Sequence, residues 1–311
     1  QRNGMSLPDE RKEAKMVEEL LRGGYDLHVH TGPDVVGRKL DDFEMAERIQ
    51  SLGMKGYGIK SHFFCTAERA RLVKKIYPAV NPVGAICLNE AVGGINPKAV
   101  EMAARDGAKI VWLPTMDAAN ELAYPAKGSG YADMPPWAKV QKELSDQGKA
   151  SAGISLLADG KLRREVHEVL DIVSENRMIL ATGHAGKEEI YALAKEARAR
   201  KFSKLVVTHP TFPSINLSKE EQRELAEMGV YMECCYGTIE PGLGIDWEEF
   251  YVMLRHVGPR QCILSSDLGQ THKMYPTDGM ADFVTRLSQN GFSREEIKTM
   301  VVENTVFLVE Q

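Results

Sequence analysis

No stretch of this sequence approaches the roughly 18 consecutive apolar residues that a membrane helix needs. Its opening, QRNGMSLPDE, lacks the charged-then-apolar order of a secretory signal. Lysine and arginine number 39 against 44 acidic residues and are scattered. There is no basic stripe to track nucleic acid and no polybasic patch for a membrane surface. The net charge of −5 instead suits a small-molecule substrate as partner. Cysteines are few, odd in number and dispersed, apart from Cys234 and Cys235 side by side. That is a poor disulfide framework for a chain this long, so the expected setting is reducing and cytoplasmic. Low-complexity tracts, short-period repeats and charge blocks are missing too, and nothing marks an interdomain linker. The expected organisation is an N-terminal extension or helix over residues 1–23 and a single domain over 24–311, compatible with a homo-oligomer.

What the chain does have is alternation. Short apolar runs rich in β-branched residues recur with longer amphipathic segments between them. The runs are YDLHVH (25–30), GYGIK (56–60), PVGAICL (82–88), KIVWLP (109–114), MILATGH (178–184), KLVVTH (204–209), VYMECC (230–235) and CILSSD (262–267). Helical patterns begin near Asp41, Thr66, Asn96, Arg164, Lys187, Ser218, Asp246 and Thr277, several opening on a capping residue and closing on glycine. Eight such units predict an α/β chain folded as a (β/α)₈ TIM barrel. One disturbance, ASAGISLLADGK over 150–161, reads as an extra strand outside the barrel or as a barrel strand that changes the count. The longest loop, 124–137, follows the fourth strand, where a lid would sit, and its Tyr124, Tyr131 and Trp137 suit either a pocket wall or packing.

Active sites of such barrels are built at the C-terminal ends of the strands. Polar residues gather there. In the first run, His28 and His30 stand two apart and so share one face of a strand, with Leu27 and Val29 on the other. Of the eight histidines, His28, His30, His62, His184 and His209 fall at or just past strand ends, whereas His167, His256 and His272 do not. Lys60 ends the second run, Glu233 lies in the seventh and Asp267 ends the eighth. Each has an ordinary reading on its own: a solvated His-x-His pair, His184 as a helix cap, His209 before Pro210 as a turn residue, Asp267 as an N-cap, Lys60 as a surface lysine. Convergence on one mouth favours a metal site, because imidazoles and a carboxylate suit Zn²⁺ or a similar ion that brings water to a pKa of about 7.

The motifs HVH, TGH, THP and SSD, in that order on the first, fifth, sixth and eighth strands, resemble those of the amidohydrolase superfamily of metal-dependent TIM-barrel hydrolases. The resemblance runs from Tyr25 to Val309, including a closing VVENTVFLV similar to the family's last helix. It implies that His28 and His30 ligate the more buried metal, and that His184 and His209 ligate a second metal or contact water and substrate. It also implies that Asp267 is both ligand and general base. The ion expected is Zn²⁺, one or two per chain, with Mn²⁺ as the alternative. Lys60 and His62 are expected to contact substrate, Glu233 to contact substrate or serve as a further ligand, and Lys60 and His209 to assist catalysis. One departure stands out: where binuclear members carry a carboxylated lysine or a glutamate on strand four, this chain reads KIVWLPTMD, with Lys109 at the wrong end and Thr115 and Asp117 beyond it. A single ion is therefore at least as well supported as two.

The activity implied is hydrolysis of a small amide, lactone or ester. DLHVHT also resembles the opening of the polymerase-and-histidinol-phosphatase phosphoesterases, but in SSDLGQTH the next histidine comes five residues after Asp267, without that family's Asp-x-His. A non-hydrolytic decarboxylase with the same ligands, and a binding protein that retains a metal site, are the other readings. For Lys60 beside a metal, three states relieve the repulsion: a neutral amine, a CO₂-carboxylated lysine that ligates the ion, or an ammonium paired with a substrate carboxylate or oxyanion. The last is favoured here.

Overall fold

Each apolar run becomes a short parallel strand: β1 (Tyr25–Val29), β2 (Gly56–Ile59), β3 (Asn81–Val83, resumed at Ala85–Cys87), β4 (Ile110–Trp112), β5 (Ile179–Ala181), β6 (Leu205–Val207), β7 (Tyr231–Cys235) and β8 (Cys262–Ser265). The structure, a computed structural model, describes residues 7–124, 134–239 and 245–311. β1, β2 and the first half of β3 form one sheet, and the second half of β3 with β4 to β8 forms another. They are continuous at two seams. At Gly84, between the halves of β3, the carbonyl accepts the Lys109 N–H at 2.8 Å. A Cβ there would lie 2.5 Å from the Ala67 Cα, so only glycine lets the strand pass the adjoining helix. At the second seam Val29 bridges Leu268, and the Asp267 and His30 N–H groups donate to the His28 and Leu268 carbonyls. Every strand thus has two neighbours, and the ring is the expected (β/α)₈ barrel.

The helices lie outside. Their starts follow the cap chemistry of the sequence, as at Asp41 with Glu44 and Ser218 with Glu221, both reciprocal capping boxes. Strand residues such as Ile59, Val111, Leu180 and Leu264 pack outward against Ile49, Val100, Leu193 and Leu254 of the helices. A second cluster fills the barrel itself: Leu27, Val83, Ile110, Trp112, Ile179, Val206 and Ile263. The closing segment seals its lower end. A π-turn (Thr299–Glu303) leads into the helix Asn304–Glu310, which adds Leu308 and Val309 to the inner cluster. The Asn304 amide donates to the carbonyls of Pro259, Arg260 and Cys262. The N-terminal helix (Leu7–Leu21) is anchored through Val17, Leu20 and Leu21 in the outer cluster.

The disturbance at 150–161 is a two-stranded antiparallel hairpin, Leu157–Ala158 with Lys161–Leu162, outside the barrel. The eightfold count therefore stands. After the long loop comes a helix the sequence reading left unassigned, Pro136–Asp146, none of whose residues is buried. No helix among the described residues is long and apolar enough to cross a membrane.

Candidate metal centre

β1 carries the first two histidines, but not by simple alternation. Its pairing with β2 shifts register between Asp26 and Val29. Leu27 consequently joins the inner cluster instead of facing the helices with Val29. His28, beside it, still lies inside, its ring 5.4 Å from that of Trp112. The fully buried Asp26 carboxylate ties this kink to β8 by accepting the N–H groups of Ser266 at 2.9 Å and His28 at 3.3 Å. Burial pushes its pKa up to about 7, against those hydrogen bonds.

His28 is wholly buried and engaged on both nitrogens. Nδ1 lies 3.1 Å from Glu233 Oε2 and 3.7 Å from Cys235 Sγ. Nε2 lies 3.0 Å from Asp267 Oδ1 and 2.8 Å from Lys60 Nζ. His30 Nε2 reaches the same Asp267 oxygen at 3.2 Å. His28, His30 and Asp267 therefore present three ligand atoms within 4.8 Å of one another. Burial opposes protonation of His28, yet Asp267 and then Glu233, set against Lys60, hold its pKa up at about 9. Burial keeps His30, His62 and His209 well below the usual histidine value. Neutral imidazoles are the form that binds metal, so an ion taken up at His28 displaces a proton there. Despite burial, the His28 and His30 rings hold the Asp267 carboxyl well below the usual carboxylate range.

The remaining histidines continue the wall. His62 stacks on His30 with centroids 5.2 Å apart, and its Nδ1 meets Thr115 Oγ1 at 2.8 Å. Asn89 braces the pair, donating to Thr115 Oγ1 and to the His62 carbonyl. The His184 and His209 rings are 5.0 Å apart, and His209 is 6.0 Å from His28. Glu121 Oε2 sits 3.0 Å from His184 Nδ1. His209 and Asp267 both adopt positive φ, 25° and 51°, a conformation costing of order 1–3 kcal/mol that tends to be kept where function needs it. Gly269 packs so closely behind His30 that a Cβ would fall 1.7 Å from the His30 carbonyl oxygen. Together His30, Lys60, His62, His184, His209 and Asp267 face a cavity of about 650 Å³ in the barrel mouth.

One sequence expectation changes. Glu233 stands behind His28 rather than lining this mouth, because β7 places it beside Ile263 of β8, two residues short of the strand's end. Asp117, beyond the fourth strand, accepts the Glu90 N–H and stands apart from the histidines. Tyr131 lies outside the described residues. Sequence reasoning missed Arg38, whose Nε and Nη2 both grip Asp34 Oδ2 at the cavity edge, and Phe212, whose ring lies tilted against those of His184 and His209. The Asp34/Arg38 spacing of four and the position of Phe212 three residues after His209 were the available signals.

The donor set fits a divalent ion: two imidazoles and a carboxylate converge, and His209 Nδ1 is buried without a hydrogen-bond partner. Glu233 supplies the supporting contact that fixes the His28 ring. Glu233→Gln is expected to weaken metal affinity about 10- to 100-fold, read by competition with a chromogenic chelator. Unchanged affinity would mean that the contact does not orient the ligand.

Solved structures share this fold. An amidohydrolase from Pseudomonas aeruginosa superimposes with a TM-score of 0.60 at 12% identity, over 96% of this chain and 98% of that one. A probable dipeptidase from the same organism gives 0.63 at 11%, over 96% and 97%. An organophosphorus hydrolase from Deinococcus radiodurans gives 0.59 at 13%, over 94% and 93%. No curated protein matches the sequence. A family model of unknown function, DUF6282, matches residues 23–233, which takes in every candidate site residue except Asp267. Sharing the barrel fold of these solved structures, the chain belongs to the DUF6282 family.

Proposed function

We propose that this chain is a metal-dependent hydrolase of a small-molecule amide, lactone or ester. The observation that carries the reading is the convergence of His28 Nε2 and His30 Nε2 on Asp267 Oδ1 beneath an open cavity. The names of the solved neighbours, amidohydrolase, dipeptidase and organophosphorus hydrolase, support hydrolysis and leave the bond class open. His28, His30 and Asp267 would hold the ion, Zn²⁺ by the chemistry of the set and Mn²⁺ as the alternative. When bound, it supplies Lewis-acid activation of water and of the scissile carbonyl. Asp267 takes the proton of the attacking water and returns it to the leaving group. Lys60, buried at the cavity floor, pairs with the developing oxyanion or a substrate carboxylate, and His209 donates from the opposite wall. A single ion is proposed, since no carboxylate among the described residues bridges His184 and His209 to His28 and His30.

Elemental analysis after reconstitution should find about one divalent ion per chain. A panel of amides, lactones, esters and phosphoesters should show turnover that chelation removes. Well under one ion per chain, with no turnover, would end the proposal. Turnover of phosphoesters alone, or release of CO₂, would move it to the phosphoesterase or decarboxylase alternative.

A further inference from the structure

A second cavity, of about 710 Å³, adjoins the one in front of the histidines, and the two share His62, Trp137 and Phe212 as a wall. Trp137 stands between His62 and His184, its ring 6.2 and 5.8 Å from theirs. The two linings differ in kind. The first gathers the imidazoles, Lys60 and Asp267 against an apolar side, whereas the second is mainly carbon, with Phe63, Met116, Leu122, Val140 and Leu144. Helix Pro136–Asp146 borders this second chamber. Its apolar residues Trp137, Val140 and Leu144, spaced i, i+3 and i+7, all line that chamber, and none is buried. An apolar helix stripe normally gains its stability by burial against the core. Here it borders a space that adjoins the candidate site.

We propose that the substrate is an anionic amphiphile straddling the Trp137 wall. Its acidic head faces Lys60 and the His28, His30 and Asp267 cluster, and a medium-length acyl chain or aryl group lies along helix Pro136–Asp146. The identity of the head group rests on the hydrolase reading; the apolar chamber does not. Each methylene moved from water into the chamber should raise affinity roughly three- to fourfold.

Calorimetric titration of the Zn²⁺-reconstituted chain with butyrate, hexanoate and octanoate should show that rise, with octyltrimethylammonium binding far more weakly than octanoate. Val140→Trp, which fills the chamber, and Leu144→Lys, which charges it, should each cut the octanoate-to-butyrate affinity ratio at least tenfold. Equal affinity for butyrate and octanoate, or a preference that survives both substitutions, would overturn the chamber's role. Octyltrimethylammonium binding as tightly as octanoate would overturn the anionic head. The same chain-length preference should appear in kcat/KM for 4-nitrophenyl butyrate and octanoate. Octanoate preference in binding without any ester turnover would support the chamber while counting against the hydrolase reading.

Discussion

Asp267→Asn is expected to lower kcat by on the order of 10³ or more while the barrel stays folded. Asp267 Oδ1 lies 3.0 and 3.2 Å from the two candidate ligand nitrogens, and the His28 and His30 rings keep its carboxyl ionised. An amide retains an oxygen that can coordinate but cannot accept the proton of the attacking water. Asparagine is also the substitution the backbone allows. At φ 51° a side chain with a short polar end is tolerated, whereas alanine would add strain and confuse the result. Metal content and melting temperature, measured beside single-turnover rates, separate lost chemistry from lost ligation. A near wild-type kcat would remove Asp267 as the base.

Lys60→Ala should retain the ion and lose on the order of 10² to 10³ in kcat/KM, comparable with deleting one oxyanion donor. Lys60 is 1% exposed, with Nζ 2.8 Å from His28 Nε2 and 5.0 Å from the Trp112 ring centre. An ammonium so close to a metal needs an anion beside it, and a substrate carboxylate or oxyanion supplies one. Lys60→Met, which keeps most of the volume, controls for the cavity that alanine leaves. Should Lys60 instead carry CO₂ and ligate the ion, both variants would lose metal, and bicarbonate would raise metal uptake by the unmodified chain. Unchanged metal content with unchanged kinetics would sink both versions.

The barrel was legible because each β/α unit announces itself locally, in a short apolar run and a capped amphipathic helix. The histidines were legible because strand ends converge in any such barrel, so position along the chain implied position in space. Other features depend on neighbours distant in sequence. The kink in β1 is held by Asp26 reaching across to Ser266, and no feature of YDLHVH alone reports it. Glu233 looks like a mouth residue until the register of β7 with β8 places it behind His28. The bracing of His62 by Thr115 and Asn89 joins three different strand ends. Helix Pro136–Asp146 escaped because its apolar stripe is short, Trp137, Val140 and Leu144, and begins inside a Gly- and Pro-rich segment that reads as loop.

The seam between β1 and β8 joins residues that the ribosome delivers far apart: His30 and Asp267 are 237 positions from each other. Such pairing is slow to form, since closure of a long loop must precede any reward from the contact. The three ligand atoms therefore come together only when the last strand docks on the first, and an ion caught between them acts as a clasp on the ring. Its binding free energy adds directly to the cost of opening that seam. Exchange of the ion with solvent would then proceed through partial parting of β1 from β8. Amide hydrogens at His30 and Asp267 should become much slower to exchange once metal is supplied, and those in the β4 to β6 wall should change little.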